Sequence, residues 1–388
     1  FKPEDIERIT NPGPDEEIYG STDWFDLLFR DAAPTYTNTI SVQGGNDRVK
    51  FSTSLGSYNQ EGAVKRTSYD KYYFRSNLDA KITDNFDYSM NLYGSVDNQK
   101  SPGASVSPNA YAGVFVQAML SYPFLKPYTK DGMPIASMNT DGQGNNNPLA
   151  ARDLSGRQTS KTTKFQGDIS LRYKLPLKGL SVKLDAAFLK THTMRKAEAT
   201  PYKVFSWNQT THQGNVENGR IWSMASVSNW YGSLQRYTIR PTVEYNNTFG
   251  KHDVSALFLY EFAREDYEGI SAGREDFPLT NIMDISYGNK VSESLVKGSH
   301  SNDKRAGYVM RLNYAYDQKY LFEFTGRIDA STALPKGNRW GFFPAVSLGY
   351  RVSQEDFFKN ALPFIDNFKI RGSVGRLGSD ASISNTMT

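Results

Sequence analysis

Polar and apolar residues alternate one for one along most of this chain. In the clearest stretch, Phe165, Ile169, Leu171, Tyr173 and Leu175 fall on one face, while Lys164, Gln166, Asp168, Ser170, Arg172 and Lys174 fall on the other. A period of two is the strand period, because successive side chains leave a pleated backbone on opposite sides. The same pattern sets Val49, Phe51 and Leu55 against Lys50, Ser52 and Ser54, and Tyr237, Ile239, Val243 and Tyr245 against Arg236, Arg240, Thr242 and Glu244. It returns with Met310, Leu312 and Tyr314 against Arg311 and Asn313. A slip of one residue would put charges into the apolar layer, so the register is well specified. Such a wall either packs its apolar face on a second sheet or turns it to lipid and lines a wet lumen with its charges.

The pattern predicts about twelve strands, near 36–44, 48–58, 70–82, 86–97, 162–175, 180–193, 231–247, 253–265, 304–316, 319–331, 342–352 and 367–376. Each is close to the roughly 9–11 residues that a tilted strand needs to cross a bilayer. Tight turns rich in Gly, Asn and Asp (Gly44–Asp47, Thr83–Asn85, Pro176–Gly179, Phe249–His252, Asp317–Lys319) alternate with long polar connections at 59–69, 98–161, 194–230, 266–303 and 332–341. Residues that tolerate positive φ suit short hairpins. Short turns at one end and long loops at the other is the outer-membrane layout, with turns periplasmic and loops extracellular. Two helical pieces interrupt it. Tyr111–Leu120 lies in the longest loop, and a short helix follows Ser353, where Ser353 and Asp356 have capping-box spacing and Phe357, Phe358 and Leu362 form an apolar face.

Parity sharpens the layout. The first strand runs into a tight turn and the last ends on the loop side, whereas a bacterial barrel normally keeps both termini in the periplasm. The expectation is therefore a piece of a larger barrel, with a strand before Tyr36 and another after Gly378. Its parts are read as a loop segment over 1–35, barrel strands with long loops over 36–378, and the start of a further loop over 379–388.

Composition changes this picture little. The chain has 388 residues, no Cys, 24 Tyr and 23 Phe, and its 38% apolar content is low for a large soluble core but natural for a barrel with a wet interior. Aromatic residues cluster near strand ends, as membrane-interface girdles would require, although packing in a soluble β protein would also produce this. No run approaches the roughly 18 apolar residues of a membrane helix, so a closed barrel is the way this chain would span a membrane. A net charge of +4 gives no reason to expect a nucleic-acid partner.

Specific strings then resemble a family. Thr22–Arg30 followed by Thr39–Gly45, then Phe51–Gly62 and Arg75–Asp79, are similar to the start of the barrel in SusC/RagA-type TonB-dependent transporters. Arg327–Ser331, Asn338–Arg351 and Lys369–Gly375 resemble later segments of the same barrel. The resemblance implies an all-β transmembrane barrel of about 22 strands with a plugged lumen. It also implies coupling to TonB, a SusD-like lipoprotein lid, and import of a glycan or peptide across the outer membrane of Bacteroidetes. The TonB box, the plug and the closing strands have no counterpart among these residues, so no gating or TonB-contact residue is carried over.

Catalytic and metal chemistry find little support. His192, His212, His252 and His300 lack ligand spacing. Asp131, Asp141 and Asn145–Asn147 offer oxygens for Ca²⁺, but ordinary solvated turns use the same residues. Neither a cofactor nor an enzymatic activity is expected. Trp207, Trp222 and Trp230, in or beside the 194–230 loop, are candidate substrate-binding residues, since sugar faces and peptides stack on such rings; the competing reading has that loop packing on itself or on a lid. The leading function is nutrient import with a SusD-like lid over the long loops, and the alternative is a soluble β-rich glycan-binding or adhesin module.

Overall fold

The computed structural model describes residues 3–11, 13, 18–103, 113–137, 146–208, 213–219, 223–291 and 293–379. In chain order the strands are β1 (Thr35–Gly45), β2 (Val49–Glu61), β3 (Ser68–Lys81), β4 (Phe86–Pro102), β5 (Gly156–Lys174), β6 (Leu180–Ala199), β7 (Lys203–Asn208) and β8 (Gln213–Asn218). They continue with β9 (Ser226–Phe249), β10 (His252–Glu275), β11 (Lys290–Val291), β12 (Lys297–Tyr316), β13 (Tyr320–Ser331), β14 (Trp340–Tyr350) and β15 (Ile370–Gly375). Twelve of them form one antiparallel meander, β1-β2-β3-β4-β5-β6-β9-β10-β12-β13-β14-β15, while β11 adds to β10, and β7 and β8 form a separate two-stranded ladder. β1 and β15 are the two edges of this sheet, which is a stretch of transmembrane barrel wall rather than a closed cylinder.

The register sorts side chains as the alternation predicts. Ile40 lies opposite Leu55, Leu55 opposite Phe74, and Leu171 opposite both Tyr88 and Leu184. Met310, Leu312 and Tyr314 continue this face between Phe258, Ala256 and Val254 on one side and Gly326, Phe324 and Phe322 on the other. Nothing among the described residues covers it: Ile40 is 75% exposed and Leu348 60%. A soluble sandwich would bury these positions against a second sheet; a bilayer is the solvent that suits them.

Aromatic rings edge this face in two bands. At the turn end, Tyr316, Tyr320 and Tyr350 stack at centroid distances of 6.4 and 5.2 Å. At the loop end, Tyr308 stacks on Trp340 at 6.1 Å. Trp340 and Tyr350 are separated by roughly 33 Å along β14 at about 3.3 Å per residue, or roughly 25 Å of height at the usual strand tilt of about 40°, which matches the apolar band of an outer-membrane barrel. The aromatic residues of the strands thus behave as girdles.

Several strands run well past the bilayer. β5, β6, β9, β10 and β12 span 19 to 24 residues, so the long connections are shorter than the alternation suggested. Beyond the loop-end girdle both faces are polar, as at Thr159–Lys161, and a paired ladder needs no apolar face once it stands in water.

The turns close as their residues dictate. Asn46 Oδ1 accepts from the amides of Arg48 and Val49, both at 2.8 Å. Asp317 and Gln318 take the left-handed conformation at φ 52° and 54°, so a glutamine carries part of a turn that more often uses glycine. Five α-helices occur among the described residues, α1 (Pro3–Thr10), α2 (Trp24–Leu28), α3 (Val114–Leu120), α4 (Pro148–Asp153) and α5 (Asp356–Ala361); the last is the helix after Ser353, formed without the predicted capping box. Its N-cap is Glu355, whose carboxylate leaves the helix end to accept from Lys319 Nζ at 2.9 Å and the Tyr350 and Tyr320 hydroxyls at 3.2 and 3.4 Å. Phe358 is buried against Phe368 at 5.4 Å, while Phe357 stays exposed.

Candidate functional site

The largest buried core of the described residues lies in the loops. It draws on α2 (Trp24–Leu28), α3 (Val114–Leu120) and α4 (Pro148–Asp153), with Ile18, Tyr19, Leu125, Ile135, Tyr202 and Val204. Asp23 starts α2 by accepting from the amides of Phe25 and Asp26, which points Trp24 and Leu28 inward. Trp24 Nε1 then donates to the Tyr122 carbonyl at 2.9 Å. Arg152 of α4 reaches back to the Leu27 carbonyl at 2.9 Å, tying the first segment of the chain to the long loop.

Asn147 holds the centre of this crown and is fully buried. Its Oδ1 accepts from the amides of Leu149 and Ala150 at 2.9 and 3.0 Å, and its Nδ2 donates to the carbonyls of Pro127 and Ile135 at 2.9 and 2.8 Å. Its role is therefore a buried helix cap, not a solvated turn or a Ca²⁺ ligand. The clue lay in the sequence: Asn followed by Pro is a helix-start signal. Asp131 is exposed, Asp141 lies outside the described residues, and no group of three His, Cys, Asp or Glu suited to a metal occurs among those described. Burial pushes the pKa of the neighbouring Tyr202 hydroxyl up.

The three candidate tryptophans do not share one environment. Trp207, on β7, packs against the loop core. Trp230, on β9, sits opposite Arg195 in the register and receives that guanidinium over its ring at 5.5 Å. Trp222 lies outside the described residues, as do His212 and Arg220 between the tryptophans. His252 is engaged by the Tyr314 hydroxyl at 2.7 Å.

Below the crown, the polar face of the wall is a ladder of paired charges. Arg172 meets Glu244 at 3.1 Å, Lys183 meets Asp185 at 3.0 Å, Arg240 meets Glu261 at 2.7 Å and Arg327 meets Asp329 at 2.8 Å; Arg236 also contacts Glu265. These partly exposed pairs contribute at most about 1 kcal/mol each. Their effect is to set a hydrated, charge-balanced surface, suited to the passage of a polar solute. The crown presents a contrasting patch: Phe25 stacks on Phe29, Phe115 meets both edge-on, and Met119 beside them on α3 is 62% exposed.

No family model matches the chain. A TonB-dependent receptor, P26, of Formosa agariphila is 27% identical over 374 residues, 95% of this chain and 35% of that protein. The TonB-dependent receptor SusC of Bacteroides thetaiotaomicron is 24% identical over 92% of this chain and 35% of its own length. The chain thus spans about a third of the length of these relatives. Among solved structures, the RagAB peptide transporter superposes with a TM-score of 0.71 at 21% identity, covering 92% of this chain and 38% of that one.

Proposed function

We propose that this chain, similar over 92–95% of its length to TonB-dependent receptors that include SusC, forms part of the wall of a SusC/RagA-type outer-membrane transporter through which a glycan or peptide nutrient is imported. The observation that carries this reading is the contrast between the two faces of the meander. An uncovered apolar face edged by aromatic bands suits lipid, and a charge-paired face suits a hydrated path.

In this reading the loop end is extracellular and the turn end periplasmic, and import is driven through TonB by parts of the protein outside this chain. A SusD-like lipoprotein covers the crown, and the Phe25–Phe115–Met119 patch is where it gains apolar contact. Of the candidate tryptophans, Trp207 and Trp230 are placed among the described residues, and the ring faces not taken by the loop core or by Arg195 are where the nutrient stacks on its way in. The solved relative is described as a peptide transporter, which makes a peptide cargo one of the two substrate classes to test.

The test is uptake by the intact host. Deleting the gene should abolish uptake of whichever oligosaccharide or peptide co-purifies with the full-length protein, and a protonophore should do the same in the wild type. Uptake that survives both would sink the reading. The soluble-module alternative makes a different forecast, namely migration on gels that does not change between unheated and boiled samples.

A further inference from the structure

Along much of β5, β6, β9 and β10 the inner wall matches cations to carboxylates, as at Arg172–Glu244, Lys183–Asp185 and Arg240–Glu261. One sector differs. Lys71 and Arg75 of β3 and Lys164 of β5 converge on the ring of Tyr93 of β4, the strand between them, with centroid distances of 5.9, 5.7 and 5.7 Å. The register places all of them on the polar face: Arg75 is opposite Tyr93, Lys71 opposite Asp97 and Lys164 opposite Ser95. Among the described residues none of the three cations forms an ion pair, in contrast to Arg172, Lys183 and Arg240 further along the wall. A ring quadrupole attracts such cations without neutralising them, and three like charges around one ring repel one another.

A recess of about 340 Å³ opens beside this ring, lined by Arg75, Lys164, Asn77, Asn91, Gln166 and Asp168. Its one carboxylate, Asp168, accepts from the Gln166 amide at 3.1 Å rather than from a cation. The recess therefore joins unpaired positive charge to three amides that can donate to or accept from neighbouring hydroxyl or peptide groups.

We propose that this sector is an anion site of the lumen wall, which takes a carboxylate carried by the imported nutrient. Arg75 and Lys164 hold the carboxylate by charge-assisted hydrogen bonds, Tyr93 keeps the two cations converged, and the amides contact the uncharged part of the cargo. This rests on the import reading and narrows it to an acidic glycan or an acidic peptide.

Calorimetric titration of the full-length protein in detergent tests the site directly, with trigalacturonate and triglutamate as acidic probes and maltotriose and trialanine as references. The wild type should bind one acidic probe at least about tenfold more tightly than its reference, and more weakly as salt rises. Which acidic probe is preferred tells glycan from peptide. Arg75→Gln/Lys164→Gln should lose about tenfold in affinity for that probe, as expected for losing charge-assisted bonds, while Lys164→Arg retains the preference and Arg240→Gln, at a paired position, leaves it unchanged. Should the double variant not assemble, Lys164→Gln alone still reads the effect. Equal affinity for acidic and reference probes in the wild type overturns the proposal, as it would if another part of the full-length protein neutralised these cations. A preference that persists in the variants overturns it too. If uptake depends on the gene but the preference is absent, import stands and the anion site falls; if the preference is present but uptake is independent of the gene, the import reading falls instead.

Discussion

The indole of Trp24 donates a hydrogen bond to the backbone carbonyl of Tyr122 at 2.9 Å, joining residues almost a hundred positions apart in the chain. Trp24 is only 3% exposed and sits in a core built mainly from the loops, above a wall whose apolar face is left uncovered. The contact explains how long polar connections stay ordered at the mouth of a barrel: they bury their few apolar residues against one another.

Trp24→Ala should therefore destabilise the crown by about 3–5 kcal/mol, the usual cost of removing a large buried ring. Trp24→Phe restores most of the volume but removes one of two hydrogen bonds to the Tyr122 carbonyl, which still accepts from the Leu125 amide, at about 0.5–1.5 kcal/mol. Amide hydrogen exchange over 114–137 and 146–151 measures both, and the wall strands should keep their protection. Unchanged exchange in the crown of the alanine variant would show that this core does not hold the loops.

The two faces of β5 predict opposite tolerances. Leu171 faces outward between Tyr88 and Leu184, whereas Arg172 faces inward and pairs with Glu244. Leu171→Arg should cost about 2–4 kcal/mol if Leu171 lies near the midplane, and less the closer it is to the turn-end girdle. Arg172→Leu should cost about 1 kcal/mol or less, since it removes only a partly exposed pair. Reversible unfolding into lipid vesicles gives both values, and equal costs would mean that β5 does not face lipid.

Orientation is open to cysteine labelling, because the chain contains no cysteine. Asp131, exposed on the crown, should react as Asp131→Cys with an impermeant maleimide on intact cells. Asn46→Cys in the first tight turn should react only after the outer membrane is permeabilised. The reverse pattern would invert the proposed topology.

A pH response is expected at the turn end. The Lys319 ammonium, with the Tyr350 and Tyr320 hydroxyls, holds the Glu355 carboxyl below its ordinary value. A depressed carboxylate contributes stability that is present above the unfolded value of about 4.3 and is lost as pH falls through the lower folded value. Protection of the α5 amides, corrected for intrinsic exchange, should then be flat from neutral pH down to about 4.3 and fall below it. Glu355→Gln should remove that dependence, and a drop centred at neutral pH would point to another group.

Much of this molecule was legible from its residues. Period-two alternation assigns each side chain to a face, and that assignment pins the register, so the twelve wall strands, the tight turns at Asn46 and Asp317 and the lipid-facing positions all followed from local pattern. The resemblance carried by the segments from Thr22 to Gly375 pointed to the same barrel.

What the sequence could not determine depends on meetings between distant residues. Strand extensions such as Thr159–Lys161 are polar on both faces, so no periodicity marks them; only a paired neighbour makes them strands. Asn147 carries a helix-start signal, but its burial requires Pro127 and Ile135 to close around it. Ser353 had the spacing to cap α5, yet it is buried in the 3-10 turn Val352–Gln354, and the N-cap falls on Glu355, whose carboxylate is taken by Lys319 and two tyrosines rather than by the helix. The cations around Tyr93 likewise come from β3 and β5, and only the sheet brings them to one ring. Alternation is a property of neighbours in the chain, whereas burial, capping and charge pairing are properties of neighbours in space.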